Sequence, residues 1–321
     1  MFFSYRQNFS AFFFAEVSFF LVFIKFRQLE KGRKRQNPYL CTVNDKTRSF
    51  SHIDSKERIF KNSTIVQMAR PLILISNDDG FYAKGINDLV EMVRDFGDVL
   101  VVAPDGARSG ASLSITSREP VRIRKISEKA GVQVYSCTGS PCDCVKIAFE
   151  KLIDGRPDLI LAGINHGDNA AVNAHYSGTM AVATEGTLKR VPSIGFSSCK
   201  LEADADFSAM RPYVRSIVED VLNTGLPKDV CLNVNFPALE EFKGMKICRM
   251  GTGDWVNEWD ERIDPRGRSY FWLTGDFVGY DEEDESTDRG AMNSGYVAIT
   301  PIQLDCTAYA AMEELRQKFG L

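Results

Sequence analysis

The chain has 321 residues, 44% hydrophobic and 26% charged, a balance that fits a globular protein and excludes a fibrous or disordered one. Its net charge of −4 is unevenly spread: residues 1–67 hold twelve Lys/Arg against five Asp/Glu, and the remainder 27 against 38. A body with a net of −11 lacks the basic face of a nucleic-acid binder, so no nucleic-acid partner is expected.

Residues 1–67 read as foreign to the rest, with twelve of the 22 phenylalanines and a basic run at 31–35. The apolar stretch 11–26 is interrupted by Glu16. It falls short of the ~20 residues that span a bilayer. No small-residue cleavage site of a signal peptide follows it. The basic run behind it also suits an interfacial anchor, which leaves a membrane-tethered hydrolase as an alternative. Met68 stands just before the first apolar strand. Segment 1–67 is therefore expected to be an upstream or dispensable extension, and 68–321 the folded domain, without stable membrane association. The eight cysteines are scattered, mostly in apolar runs, and Cys142-x-Cys144 has no second pair. That pattern argues against zinc and for a reducing, cytoplasmic setting.

From Leu72 onward apolar runs alternate with helical periodicity. The spacing predicts a buried strand at 72–76, a helix at 83–95, a strand at 99–103 and a hairpin at 121–126 and 132–137. Ser140-Pro141 opens a helix, followed by strands at 158–162 and 193–197 and helices from about 178 and at 207–222. This is an α/β pattern, a mainly parallel sheet covered by helices on both faces. Later strands are expected at 230–234, 246–249, 270–273 and 296–299, with a closing helix from about 305. The insert at 254–290 reads as an extended excursion suited to oligomer assembly, its acidic run 281–288 as a solvated loop.

The first strand stops at two adjacent carboxylates, Asp78 and Asp79, followed by Gly80. Adjacent side chains on a strand point to opposite faces, so the pair converges only if the backbone has begun to turn. Gly80 permits that turn. Ligands bind at this edge of an open α/β sheet, and paired carboxylates there suit a hard divalent cation. Capping of the next helix is the alternative. Ser109, in Pro104-Asp-Gly-Ala-Arg-Ser109-Gly110, falls at the same edge with a neutral oxygen, though without the other clusters a surface turn is the preferred reading. Asn165, in Gly163-Ile-Asn165-His-Gly-Asp-Asn169, adds a carboxamide oxygen. Tyr176-Ser177-Gly178-Thr179 opens a helix whose free amides and hydroxyls attract anions or simply cap it. His166 and His175 are candidates for proton transfer or for structural roles. Oxygen donors beside an anion-binding helix start suggest metal-assisted phosphoryl transfer to water. A nucleotide-binding regulatory module without turnover is the rival class.

These clusters, with Gly139-Ser-Pro-Cys-Asp143-Cys-Val145, Thr287-Asp288 and Gly295-Tyr-Val-Ala-Ile-Thr-Pro301, resemble the SurE family of survival phosphatases from about Arg70 onward. The resemblance implies a Rossmann-like three-layer α/β/α sandwich with a C-terminal β-rich excursion. It implies a 5'-nucleotidase acting on nucleoside 5'-monophosphates, with some activity on 3'-nucleotides and short polyphosphate. It further implies one divalent cation per subunit, Mg²⁺ or Mn²⁺, on Asp78, Asp79, Ser109 and Asn165. Asn169, Ser177, Gly178 and Thr179 would hold the phosphate or complete the pocket, and the assembly would be a homodimer or homotetramer exchanging C-terminal elements. Two departures from the family pattern are Ala171 and Asn173, where Gly and Asp are usual.

Overall fold

The computed structural model describes residues 70–321, so the extension expected over 1–67 lies outside the described residues. β1 (Leu72–Ser76) is buried on both faces, which is why its apolar residues run on without alternation. Ile73 and Ile75 join one core cluster with α1 (Lys84–Val93) and α5 (Arg211–Thr224). Leu74 joins the other, with α2 (Pro141–Lys151) and α4 (Gly178–Leu188). A single strand thus feeds two helical layers, and the architecture is a Rossmann-like α/β/α sandwich.

Beside β1 lie β2 (Asp98–Pro104) and β5 (Leu159–His166), both parallel to it. The expected hairpin is β3 (Ile123–Lys129) and β4 (Val132–Cys137), with β4 parallel to β2 and β3 antiparallel at the edge. On the other side follow β6 (Ser193–Ser198) and β7 (Val230–Phe236), then β13 (Val297–Gln303), antiparallel to β7, and short β8 (Met245–Ile247). The nine strands run in the order β3-β4-β2-β1-β5-β6-β7-β13-β8. Between β5 and α4 lies a one-turn helix, α3 (Asn173–Tyr176).

The excursion forms two hairpin pairs, β9 (Gly253–Val256) with β12 (Asp276–Gly279), and β10 (Trp259–Ile263) with β11 (Ser269–Leu273). Only β11 was legible as a strand, because its aromatic run stands out from polar neighbours. The acidic run differs from expectation. Its last residues, Thr287 and Asp288, are fully buried, and Thr287 caps α6 (Asp288–Asn293) by accepting from the Gly290 amide at 2.9 Å. Asp288 is buried because backbone amides surround its carboxylate. The closing helix is α7 (Tyr309–Phe319), none of whose residues is buried. Among the described residues, no helix is long and apolar enough to cross a membrane.

Candidate active site

At the carboxyl end of β1 the chain turns sharply. The Asn77 side chain donates to the Gly80 carbonyl and accepts from the Gly80 amide, both at 3.1 Å. Gly80 has φ +105°, a left-handed conformation that a side chain disfavours. The turn exposes the Asp78 backbone carbonyl to the loop after β2, where the Arg108 amide donates to it at 2.7 Å. Ser109 is carried by that loop. The loop is held from its far side as well, because Ser112 donates through its amide to the Tyr176 carbonyl (3.1 Å) and through its hydroxyl to that of His175 (2.6 Å).

Asp78 lies against the start of α4. Its Oδ1 accepts the Thr179 hydroxyl at 2.6 Å. The approach is so close that a Cβ on Gly178 would sit 2.5 Å from the Asp78 Cβ. Burial raises the Asp78 carboxyl to about 6; the Thr179 hydrogen bond opposes the rise and the Asp79 charge adds to it. Asp79 is raised too, by burial, with nearby His166 opposing. Asp79 Oδ2 is buried without a hydrogen-bond partner.

β5 brings the third contribution. The pairing of β5 with β6 is irregular between Ala162 and Asn165, where Gly163 has φ +116° and no room for a side chain: a Cβ would lie 2.3 Å from the Phe196 carbonyl oxygen. Beyond this bulge the strand resumes, so it runs four residues past its expected end and pairs Asn165 with Ser197. Asn165 donates its amide nitrogen to the Gly167 carbonyl at 2.8 Å, which leaves its oxygen as the unengaged end.

Asp78, Ser109, Asn165, Asn169 and Ser177 line one cleft of about 520 Å³. Gly178 and Thr179 lie beneath it, completely or almost completely buried, and meet Asp78 directly. The Ser177 hydroxyl caps α4 by accepting from the Met180 amide at 3.0 Å. His166 also lines the cleft, with Nδ1 2.9 Å from the Glu202 carbonyl. A carbonyl only accepts, so Nδ1 is the protonated nitrogen. His175 is exposed.

Several participants are not singled out as site residues by the sequence. Asn233 and Asn235, two apart on β7 and fully buried, hold the Asn169 loop: Asn235 Oδ1 accepts the Asn169 amide and Asn233 Nδ2 donates to its carbonyl, each at 2.8 Å. Asn169 Nδ2 donates to Ser197 Oγ at 2.7 Å. The signal was Asn-Val-Asn within an apolar strand. Asp288 accepts the amides of Ala171, Gly251 and Arg289, each at 2.9 Å. From the excursion, Trp255, Glu258, Leu273 and Thr274 line the same cleft as Asp78, a juxtaposition no local pattern announces.

The family model for survival protein SurE matches residues 73–257. The chain belongs to the SurE family. It is 54% identical over 247 residues to the 5'-nucleotidase SurE of Phocaeicola vulgatus, covering 77% of this chain and 96% of that protein. To the 5'-nucleotidase SurE of Bacteroides thetaiotaomicron it is 50% identical over 252 residues, covering 78% and 96%. The crystal structure of the SurE protein from Aquifex aeolicus superposes with a TM-score of 0.68 at 38% identity, covering 78% of this chain and all of that one.

SurE membership implies dependence on a divalent metal. The residues present fit such a group. A buried carboxylate oxygen without a partner, Asp79 Oδ2, lies beside a second carboxylate whose ionisation burial resists. Among the described residues, no group of three or more His, Cys, Asp or Glu side chains is arranged for a metal, so a centre here would rest on two carboxylates plus neutral oxygens. An all-oxygen donor set is that of a hard cation. The two family departures have distinct surroundings. Ala171 has φ +49°, a conformation where glycine would be unstrained. Asn173 accepts the Trp255 indole N–H at 2.9 Å, a bond needing only its oxygen.

Proposed function

We propose that this SurE protein is a divalent-metal-dependent 5'-nucleotidase, hydrolysing nucleoside 5'-monophosphates to nucleoside and phosphate, with 3'-nucleotides as further substrates. One observation carries the reading: at the carboxyl edge of the sheet Asp78 packs against the start of α4, next to Asp79, whose Oδ2 is buried without a partner. The names borne by the relatives support the substrate class.

Asp78, Asp79, Ser109 and Asn165 would hold one cation per subunit, Mg²⁺ or Mn²⁺. When bound, it supplies positive charge to the phosphoryl oxygens and to the attacking water. Asn169 and Ser177 bound the phosphate end of the cleft, beside the positive end of the α4 dipole. Gly178 serves by lacking a side chain, and Thr179 by fixing Asp78. Asp79 accepts the proton of the attacking water. The phosphorus–oxygen bond to the nucleoside then breaks, and the proton taken up by Asp79 passes to the leaving oxygen, relayed by His166, whose Nδ1 bond leaves Nε2 free to receive it.

The domain is inferred to be 68–321, with 254–290 as an oligomerisation excursion in a homodimer or homotetramer. Trp259, Phe271 and Trp272 on β10 and β11, each more than half exposed, support that reading. So do Tyr309, Met312, Leu315 and Phe319, which repeat at helical spacing along exposed α7. A cytoplasmic setting is inferred from seven free cysteines among the described residues.

The deciding experiment is phosphate release from nucleoside 5'- and 3'-monophosphates with Mg²⁺, Mn²⁺ or EDTA, beside Asp79→Asn. Release that EDTA and the substitution both abolish is the expected result. A folded protein that binds nucleotides yet releases no phosphate with either metal is a binding module.

A further inference from the structure

The mechanism uses only one wall of the cleft. A further part of the lining comes from the excursion, and Trp255 is its largest side chain, half-buried among polar and exposed neighbours. Tryptophan is an expensive choice for a partly wet hairpin unless its ring has a partner. Its orientation is also unusually well fixed. The indole N–H donates to Asn173 Oδ1 at 2.9 Å. The Phe277 ring meets it edge-on at 5.8 Å and 71°. Phe277 in turn packs under the Arg289 guanidinium at 4.3 Å, and Arg289 pairs with Asp168 at 3.2 Å. Asn173 Nδ2 reaches the same Asp168 oxygen at 3.4 Å, closing a circuit that ties the β9–β12 pair to the loop after β5.

We infer that Trp255 is the nucleobase platform: the flat base of the substrate stacks on its indole while the phosphate lies at Asp78 and Ser177. The inference rests on the nucleotidase reading and extends it to the other end of the substrate. A cleft of about 520 Å³ has room for a whole nucleoside monophosphate, whereas inorganic phosphate would leave the excursion wall idle. Stacking accepts any base, because each has a π face, so the platform gives a preference for nucleotides over base-free phosphate esters and little choice among bases. The Asn173 bond immobilises the ring before substrate arrives, so less freedom is lost on binding.

The test compares kcat/KM for nucleoside 5'-monophosphates with that for ribose 5-phosphate, using the full chain with Mg²⁺. Trp255→Ala is expected to lower the ratio between the two substrates about tenfold, through KM for the nucleotide. Trp255→Phe, which keeps a ring and loses the N–H, is expected to retain most of the ratio. If Trp255→Ala lowers both substrates in parallel and leaves the ratio intact, the indole only braces the hairpin and the platform is overturned. Failure of the unsubstituted protein to hydrolyse either substrate overturns the nucleotidase reading itself, and the platform with it.

Discussion

Thr179 donates its hydroxyl proton to Asp78 Oδ1 at 2.6 Å, across 101 positions of sequence and with both residues buried. The bond works against the burial that raises the Asp78 carboxyl, and so favours its ionised form, the one a cation would need.

Thr179→Val keeps the shape and removes the donor. A hydrogen bond to a charged group contributes about 1.5–3 kcal/mol, so Mg²⁺ affinity is expected to fall roughly ten- to a hundredfold. Thr179→Ser should retain most of it. Calorimetric titration with Mg²⁺ measures both; equal affinity in the valine variant would remove Thr179 from the site.

Gly178→Ala tests the close approach of α4. The new Cβ would fall 2.5 Å from the Asp78 Cβ, so helix or carboxylate must shift. Overpacking of this kind costs about 1–3 kcal/mol. Denaturant unfolding is expected to record that loss, and phosphate release to drop by more than tenfold because Asp78 leaves its place.

The metal-free protein has a specific pH signature. Asp78 titrates at about 6 in the fold against 3.8 for the ordinary side chain, chiefly because of burial. Between those values the folded state binds more protons than the unfolded chain, so stability without metal falls as pH rises through this window. A gap of about two units corresponds to about 3 kcal/mol at most. Unfolding midpoints in EDTA between pH 4 and 7 should slope downward, and Asp78→Asn should flatten the slope. With Mg²⁺ the trend should reverse, since the cation binds the ionised pair.

Asp288 holds three amides from separate segments. Asp288→Ala leaves those of Ala171, Gly251 and Arg289 without their acceptor. Each buried donor left unpaired costs about 1–3 kcal/mol, so a loss of about 3 kcal/mol or more is expected in chemical denaturation. Asp288→Asn, which keeps one acceptor oxygen, should fall between. A loss below about 1 kcal/mol in the alanine variant would mean that water satisfies these amides.

The sheet edge was legible because β1, β2 and β5 are apolar runs that end in turn residues, so Asp78, Ser109 and Asn165 could be assigned to one edge. The part of the cleft that the excursion lines was not. Trp255 meets Asn173 across 82 positions, and Asp288 meets Ala171 across 117, distances over which no periodicity operates. Asp288 was misread as solvated because charge composition says nothing of the amides that gather around one carboxylate. Asn233 reads only as a strand residue and Asn235 falls just past the expected strand 230–234, since the loop they hold lies two strands away in the sheet. The extension of β5 to Asn165 depended on a bulge at Gly163, which the sequence showed only as a glycine.

The strand order has a temporal consequence. β1 lies between β2 and β5, and Asp78 and Asn165 are 87 positions apart in the chain. These two meet only once β1 and β5 are in register, and Ser109 joins them only when β2 is added, so the unfolded polypeptide offers a cation little more than an isolated Asp-Asp pair. An ion held there would be a latch fitted to a finished sheet and never its nucleus: it would lengthen the lifetime of the folded enzyme while leaving the speed of folding to the protein alone.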